Sequence, residues 1–192
     1  MIRGRVLSVC WWLTIGLCFF ILSACQTQPL EIEIENRSNL PICEVYISPQ
    51  HEADFGENQL PEGEMIAGGA ARGFTIEAGE YDLLDRTCNE ETVYSEAKIN
   101  QNRRILIGDE GKLPFRVTNQ TGSEICYLYI TQTEEWGEDL LGKVESIMPG
   151  NVRLFFLAPA FYHARALDCD ENVLGEIRNV NLVNSFDWVI SP

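Results

Sequence analysis

The chain has 192 residues, 45% of them hydrophobic, and a formal net charge of −15. This hydrophobic content is ordinary for a globular protein. The acidic balance excludes nucleic acid as a partner, because binding a phosphate backbone requires a basic surface. The excess of acidic residues predicts a well-solvated surface that aids solubility rather than a specific acidic function.

The first 24 residues have the layout of an export signal. Arg3 and Arg5 give a basic start, residues 6–22 are an apolar run, and residues 22–25 read Leu-Ser-Ala-Cys. A basic region, an apolar region and a small-residue cleavage site are typical of secretory signals. The apolar run is short for a transmembrane helix, which needs about 20 residues. We therefore expect residues 1–24 to be a cleaved signal peptide.

The Leu-Ser-Ala-Cys ending closely resembles the lipobox of bacterial lipoprotein precursors. This resemblance implies that Cys25 is lipidated and that the chain is cut just before it, leaving residues 25–30 as the lipidated Cys and a short tether. Two or more lipid chains anchor a protein stably, at about 0.8 kcal/mol per buried methylene. We expect an exported protein that is held to a bacterial membrane on its extracytoplasmic side. An ordinary signal peptide or an uncleaved anchor is the alternative.

The remainder of the chain is a twofold internal repeat. The hexapeptide of residues 42–47, Ile-Cys-Glu-Val-Tyr-Ile, returns at residues 125–130 as Ile-Cys-Tyr-Leu-Tyr-Ile. Aligned pairs continue through both copies and include Asn36 with Asn119, Gly69 with Gly150, Arg72 with Arg153, Tyr81 with Tyr162 and Cys88 with Cys169. A register held over a whole unit predicts two tandem homologous modules, residues 31–110 and 111–192.

Alternating apolar and polar residues predict β-strands in both copies. Residues 30–35 read Leu-Glu-Ile-Glu-Ile-Glu, which is the pattern of a half-buried strand. Many short strands separated by turn residues favour an all-β fold of two antiparallel β-sandwich modules. Each is similar to an immunoglobulin-like or transthyretin-like sandwich, an analogy that carries no function. Residues 55–64 and 136–145 are the best candidates for a short helix or a turn.

Four cysteines remain for the modules, two at matching positions in each. An even count in an exported chain predicts disulfides, here Cys43–Cys88 and Cys126–Cys169. Closing each loop contributes about 4 kcal/mol in the loop-entropy model. Cys169 has the wrong parity for the core face of its strand, so we expect it beyond the strand end or after a bulge. Free buried cysteines are the alternative; a metal site is disfavoured because there is no Cys-x-x-Cys.

No catalytic constellation stands out in the sequence, and we expect neither an enzyme nor a cofactor. The sharpest metal candidate is Asp168, Asp170 and Asn172, which have the opening spacing of a calcium loop. Val173 stands where that loop needs Gly, and Asn179 where it needs a bidentate Glu. A polar hairpin turn is the favoured interpretation, because Asp and Asn adopt turn geometry readily.

The two copies differ most on the faces turned away from their cores. By strand parity the first copy places Glu44, Gly73, Thr75 and Glu80 there, whereas the second places Tyr127, Leu154, Phe156 and Phe161. Because monomers rarely expose large apolar patches, we expect this face to dock on the first module or on a partner.

These patterns together predict a lipid-anchored cell-envelope protein with a non-catalytic binding or structural role. The membrane is one partner, through Cys25, and an envelope protein or glycan is the expected ligand. The alternatives are an enzyme or enzyme accessory that acts on envelope material, and a calcium-dependent adhesion module.

Overall fold

The computed structural model describes residues 28–192 except 51, 53 and 144. Within these residues the chain forms twelve β-strands and no helix, so the predicted all-β fold is confirmed. The expected signal peptide and Cys25 lie outside the described residues. The strands are β1 (Leu30–Asn36), β2 (Ile42–Pro49), β3 (Ala71–Ile76), β4 (Tyr81–Thr87), β5 (Thr92–Ile99), β6 (Arg103–Ile107), β7 (Leu113–Asn119), β8 (Tyr127–Thr131), β9 (Val152–Leu157), β10 (Ala160–Leu167), β11 (Val173–Leu182) and β12 (Phe186–Ile190).

The strands form three sheets in a sandwich-like arrangement. Two have three strands, in the orders β3-β1-β6 and β11-β10-β8, and the third has six, in the order β12-β7-β9-β5-β4-β2. Most neighbours are antiparallel, but three pairs are parallel: β1 with β6, β7 with β12 and β5 with β9. The six-stranded sheet therefore contains three strands from each half of the chain.

The strands of the first half (residues 30–107) and of the second half (residues 113–190) are arranged in corresponding orders. β3-β1-β6 corresponds to β9-β7-β12, and β2-β4-β5 corresponds to β8-β10-β11. β6 ends at Ile107 and β7 begins at Leu113, on either side of the predicted boundary. The division into homologous modules stays a prediction, and the structure adds that the halves share one sheet.

Each half has its own apolar core between two sets of strands. In the first half, Ile34 of β1 and Ile105 of β6 pack in one cluster with Val45 of β2 and Leu83 of β4. In the second half the central residues of the cluster come from the corresponding strands and are Phe115, Val117, Leu128, Ala164, Ala166, Trp188 and Ile190. The alternating apolar residues recognised in the sequence thus face these two cores.

A buried asparagine recurs in both halves. Asn36 and Asn119 are fully buried, and each side-chain nitrogen donates to two backbone carbonyls at 2.7 or 2.8 Å. The acceptors are the carbonyls of Leu40 and Ile66 in the first half and of Ser123 and Ile147 in the second. Because buried carbonyls need partners, this amide joins two loops to the end of the first strand of each half.

Strand β9 is covered on both faces, because it connects the two halves. Phe155 and Leu157 pack against the core of the second half. Leu154 belongs to the core of the first half, where it is fully buried, and Val152 and Phe156 pack against the same cluster. One strand of the second half thus completes the core of the first.

Polar contacts accompany this packing at the junction of the halves. β5 and β9 pair in parallel at Thr92 and Arg153, and a guanidinium nitrogen of Arg153 donates to the Thr92 carbonyl at 3.4 Å. Arg116 of β7 forms an ion pair with Glu91, at 2.6 Å between Nε and Oε1. The first contact joins β5 to β9, and the second joins the residue before β5 to β7.

Both predicted disulfides are present. Cys43–Cys88 and Cys126–Cys169 have Cα–Cα distances of 4.8 and 5.0 Å, and each bridge links the adjacent ends of two neighbouring strands. β10 ends at Leu167, so Cys169 lies beyond the strand end, which accounts for its parity. Two disulfides indicate an extracytoplasmic, oxidising location.

The two helix-or-turn candidates form turns, not helices. In residues 55–64 the Asn58 carbonyl oxygen Oδ1 accepts from the backbone N–H groups of Val45 and Leu60, at 2.9 and 3.0 Å. The segment therefore runs beside β2 and is held there by hydrogen bonds, without the repeated backbone bonds of a helix. The described parts of residues 136–145 are likewise irregular. Across the part of the chain that the structure describes, no helix could span a membrane.

Candidate ligand-binding groove

A groove of about 680 Å³ lies over the outer surface of β8, beside the second disulfide. Its volume is that of a site for a small molecule or a few residues of a polymer. The lining residues are Glu124, Cys126, Tyr127, Tyr129, Asp139, Gly142, Lys143, Glu145, Ser146 and Cys169. The floor is aromatic and one wall is charged, which is a composition suited to binding.

Two tyrosines form the floor because of the strand period. Tyr127 and Tyr129 are separated by Leu128, which is fully buried in the core of the second half. Successive side chains of a strand point to opposite faces, so both tyrosines lie on the outer face, about 6.6 Å apart along the strand. Both rings are half-buried and present apolar surface with a polar tip to the groove.

The wall is the irregular segment that follows β8. The Leu140 N–H donates to the Leu128 carbonyl at 2.8 Å, and Ile147 pairs with Ile125, so the segment is fixed to the edge of β8 at both ends. Gly142 has a φ of 66°, a left-handed conformation that favours glycine. This turn places the neighbouring Lys143 on the rim of the groove.

Asp139 holds this wall to the strand. Its Oδ1 accepts from the backbone N–H groups of Leu128 and Leu141, at 2.9 and 3.1 Å. At the corresponding place in the first half, Asn58 Oδ1 accepts from two backbone N–H groups in the same way. Its side-chain nitrogen also donates to the Cys43 carbonyl at 2.9 Å. The second half therefore has a carboxylate where the first has an amide.

Two further carboxylates line the groove, and each has a partner. Ser146 donates its hydroxyl to Glu124. Glu145 is largely buried and forms an ion pair with Arg153, at 2.7 Å between Nε and Oε1. Burial raises the pKa of Glu145, and the charge and hydrogen bond of Arg153 act in the opposite direction. Glu145 thus connects the groove to the strand that carries the junction of the halves.

The field at the aromatic floor is negative. The pKa of Tyr129 is raised, first by burial and then by the negative charges of Asp139 and Glu171. Among the residues that line the groove, the only cation is Lys143. A ligand in contact with Tyr129 is therefore in a field that favours positive charge.

Next to the groove an indole ring lies between two guanidinium groups. The Arg165 and Arg178 carbons Cζ lie 5.4 and 4.9 Å from the centroid of Trp136. Both arginines also form ion pairs with Glu176, at 3.3 and 2.7 Å. Arg178 also contacts Glu134 at 3.0 Å, so two carboxylates balance the two guanidinium groups. The cluster therefore stiffens the outer face of β10 and β11 rather than offering free charge.

The structure separates the four residues that parity placed on the outer face of the second copy. Leu154 and Phe156 pack against the core of the first half, on the sheet that contains β9. Tyr127 lines the groove on the other sheet, and Phe161 is 59% exposed. They therefore form no single surface, because parity assigns a face to each strand without saying which sheet the strand belongs to.

Asp168, Asp170 and Asn172 lie in a tight turn between β10 and β11. Asp168 Oδ1 accepts from the backbone N–H groups of Asp170 and Asn172, at 2.9 and 2.8 Å, and the Asn172 side-chain nitrogen donates to both carboxylate oxygens. Hydrogen bonds from Asn172 lower the pKa of Asp168. This is the hairpin turn favoured by the sequence, with the Asp168 carboxylate engaged within it.

Glu124 lies close to the sulfur atoms of Cys126 and Cys169. Both sulfurs are used in the disulfide, and a metal site needs thiolates. This group therefore forms a wall of the groove and not a metal centre.

A second depression, of about 580 Å³, lies on the outer face of β3-β1-β6. Its charges pair with one another: Arg104 contacts Glu33 at 2.9 Å and Glu35 at 2.5 Å, and Arg103 contacts Glu96 at 2.9 Å. A third, of about 200 Å³, lies at the junction of the halves. The groove over β8 differs from both in its paired tyrosines.

The sequence patterns indicated Tyr127 and the two cysteines of the second disulfide, but not the other residues that line the groove. The signal was present, because two aromatic residues two positions apart on one strand share a face, and Glu44 of the first copy is replaced by Tyr127 in the second. The wall could not be found in this way, since an irregular segment has no period.

No protein-family model matches the chain, and no curated protein matches it significantly. Among solved structures, 85% of the chain aligns with the Bacillus anthracis TIE protein at 14% identity and a TM-score of 0.28, and the alignment covers 34% of that protein. The same share aligns with a family CBM26 module of Eubacterium rectale Amy13K, solved in complex with maltoheptaose, at 11% identity and a TM-score of 0.30; it covers 92% of that module. TM-scores this low carry no inference about fold or function.

Proposed function

We propose that this chain is a lipid-anchored protein of the bacterial cell envelope that binds a glycan without acting on it chemically. The observation that carries the proposal is the pair Tyr127 and Tyr129 on the floor of the groove over β8. The faces of pyranose rings are lined with C–H groups, so neighbouring aromatic rings on one strand provide a stacking surface for successive sugars. Carboxylates on the wall provide acceptors for sugar hydroxyls.

The anchoring half of the proposal rests on the lipobox-like ending at Cys25 and on the two disulfides. In a cell that exports the chain, Cys25→Ser should abolish lipidation and processing, because a hydroxyl cannot replace the thiol in that modification. Fractionation and intact-mass measurement are the readouts. Recovery of this variant from the membrane fraction at the mature mass of the wild type would show the anchor to be wrong.

The binding half is tested with the soluble part, residues 26–192, in affinity electrophoresis through gels that contain envelope polysaccharide. We expect retardation of the wild type and its loss in the double variant Tyr127→Ala/Tyr129→Ala. Truncating a central tyrosine commonly costs 2 kcal/mol or more, roughly 30-fold in affinity. Tyr46→Ala, at the place in the first half that corresponds to Tyr129, is the matched control. Retardation that survives in the double variant would place binding elsewhere.

A further inference from the structure

The groove contains a carboxylate whose charge the fold does not need. Asn58 shows that a neutral amide oxygen suffices to accept the two backbone N–H groups that Asp139 accepts, since its distances of 2.9 and 3.0 Å match the 2.9 and 3.1 Å of Asp139. The negative charge therefore has no part in holding the wall to the strand. The carboxylate is thus one of the few polar groups in the groove that could orient a ligand.

The same exchange removes a hydrogen-bond donor. In the first half the Asn58 side-chain nitrogen donates to the Cys43 carbonyl at 2.9 Å. The corresponding pair in the second half is Asp139 and Cys126, and an ionised carboxylate has no proton to donate. Both groups line the groove. The second half thus has two acceptors where the first half has a donor and an acceptor, and a ligand N–H that contacts both would replace the missing donor.

The surroundings favour a charged donor over a neutral one. Glu145 is neutralised by Arg153, which leaves Glu124 and Asp139 against Lys143 among the residues that line the groove. Arg165, opposite Tyr129 on β10, is paired with Glu176. Tyr129 stands beside these groups, and an aromatic face attracts a cation. An ammonium group has three donors and no acceptor, so it satisfies a carboxylate and a carbonyl together.

We propose that the groove selects a glycan that contains unacetylated amino sugars, with an ammonium group of the sugar between the Asp139 carboxylate and the Cys126 carbonyl. This inference rests on the proposed glycan binding and adds the class of sugar. An N-acetylated sugar has an amide in place of the ammonium and lacks the charge. A polyamine or a lysine-rich peptide has the ammonium and lacks the pyranose face that Tyr127 and Tyr129 would contact.

The test measures the affinity of the full chain in detergent for three probes: a tetramer of glucosamine, its fully N-acetylated form, and tetralysine. We expect the glucosamine tetramer to bind about tenfold or more tightly than either of the others, because a hydrogen bond to a charged group is worth about 1.5–3 kcal/mol. Higher salt should weaken its binding and leave that of the acetylated form unchanged.

Asp139→Asn is the decisive variant, because it recreates the arrangement that already folds in the first half. It should bring the affinities for the two sugar tetramers together. Glu138→Gln removes one charge from the neighbouring exposed residue and should keep the preference. Thermal unfolding of both variants verifies that they remain folded.

Each remaining outcome overturns the inference in a different way. Equal binding of the two sugar tetramers by the wild type excludes ammonium selection and leaves glycan binding intact. Tetralysine binding as tight as that of the glucosamine tetramer excludes the sugar class. If neither sugar tetramer binds while envelope polysaccharide still retards the soluble part, the amino-sugar inference is wrong and glycan binding stands. If the polysaccharide also fails to retard it, the proposed function is wrong as well.

Discussion

At the scale of single residues, the least expected side chain is a carboxyl in the core of the first half. Asp85 of β4 is fully buried between Val45 and Tyr94 on the neighbouring strands. Among the described residues, neither of its oxygens has a hydrogen-bond partner. Ala166 holds the corresponding place in the second half and packs in that core. The polar group is therefore a cost that the second half does not have.

Asp85→Ala should stabilise the protein. An unsatisfied buried polar group costs about 1–3 kcal/mol, so we expect the free energy of unfolding at neutral pH to rise by up to that amount. Urea denaturation of the variant and the wild type measures it. A marked loss of stability would show that Asp85 has a partner that holds the core together.

The same residue makes stability depend on pH. Burial raises the pKa of Asp85 well above its ordinary value of 3.8. The unfolded chain loses this proton as the pH passes about 3.8 while the folded chain keeps it. The stability that the raised pKa of Asp85 contributes is therefore complete below that pH, and it is lost as the pH rises through the folded pKa. Asp85→Asn should remove this slope from a stability–pH profile without the gain expected for Asp85→Ala.

At the scale of elements, β9 has the largest consequence, because its two faces serve two cores. Leu154→Ala should cost about 2–5 kcal/mol, the usual range for truncating a fully buried leucine. Amide hydrogen exchange should show the loss in β2 and β4 of the first half, although the substitution is in the second. Phe161→Ala, at an exposed site on β10, should change stability by less than about 0.5 kcal/mol. Loss of protection confined to β8 and β10 would contradict this assignment of Leu154.

The elements also show what the sequence could and could not supply. Alternation defined β1, and the repeated cysteines gave both disulfides, because period and spacing are local properties. The burial of β9 on both faces was not foreseen. The sequence pattern of one half does not show which strand of the other half it will pair with. Asp85 was missed although it shares the inward parity of Leu83, because an aspartate is almost never fully buried without a partner. The wall of the groove depends on the path of an irregular segment.

At the scale of the whole molecule, the shared sheet predicts how the protein unfolds. Leu154 completes the first core and Glu91–Arg116 joins the halves, so neither half keeps all its contacts when the other is lost. We expect one cooperative transition in differential scanning calorimetry, with equal calorimetric and van't Hoff enthalpies. Two separate transitions would show that the halves unfold independently. Phe156→Asp, which introduces a charge at the junction, should split the single transition into two.

The two disulfides have a mechanical consequence. In the proposed membrane-anchored protein, force applied between the N-terminal end and the groove passes through β1. Its neighbour β6 runs parallel to it, so their hydrogen bonds are sheared together rather than opened one by one. Cys43–Cys88 and Cys126–Cys169 span 45 and 43 residues of sequence. Even after the strands separate, these spans cannot be pulled out into extended chain. Between the N-terminal end and the groove only the residues outside these spans can be extended, so the disulfides limit how far the protein lengthens under tension.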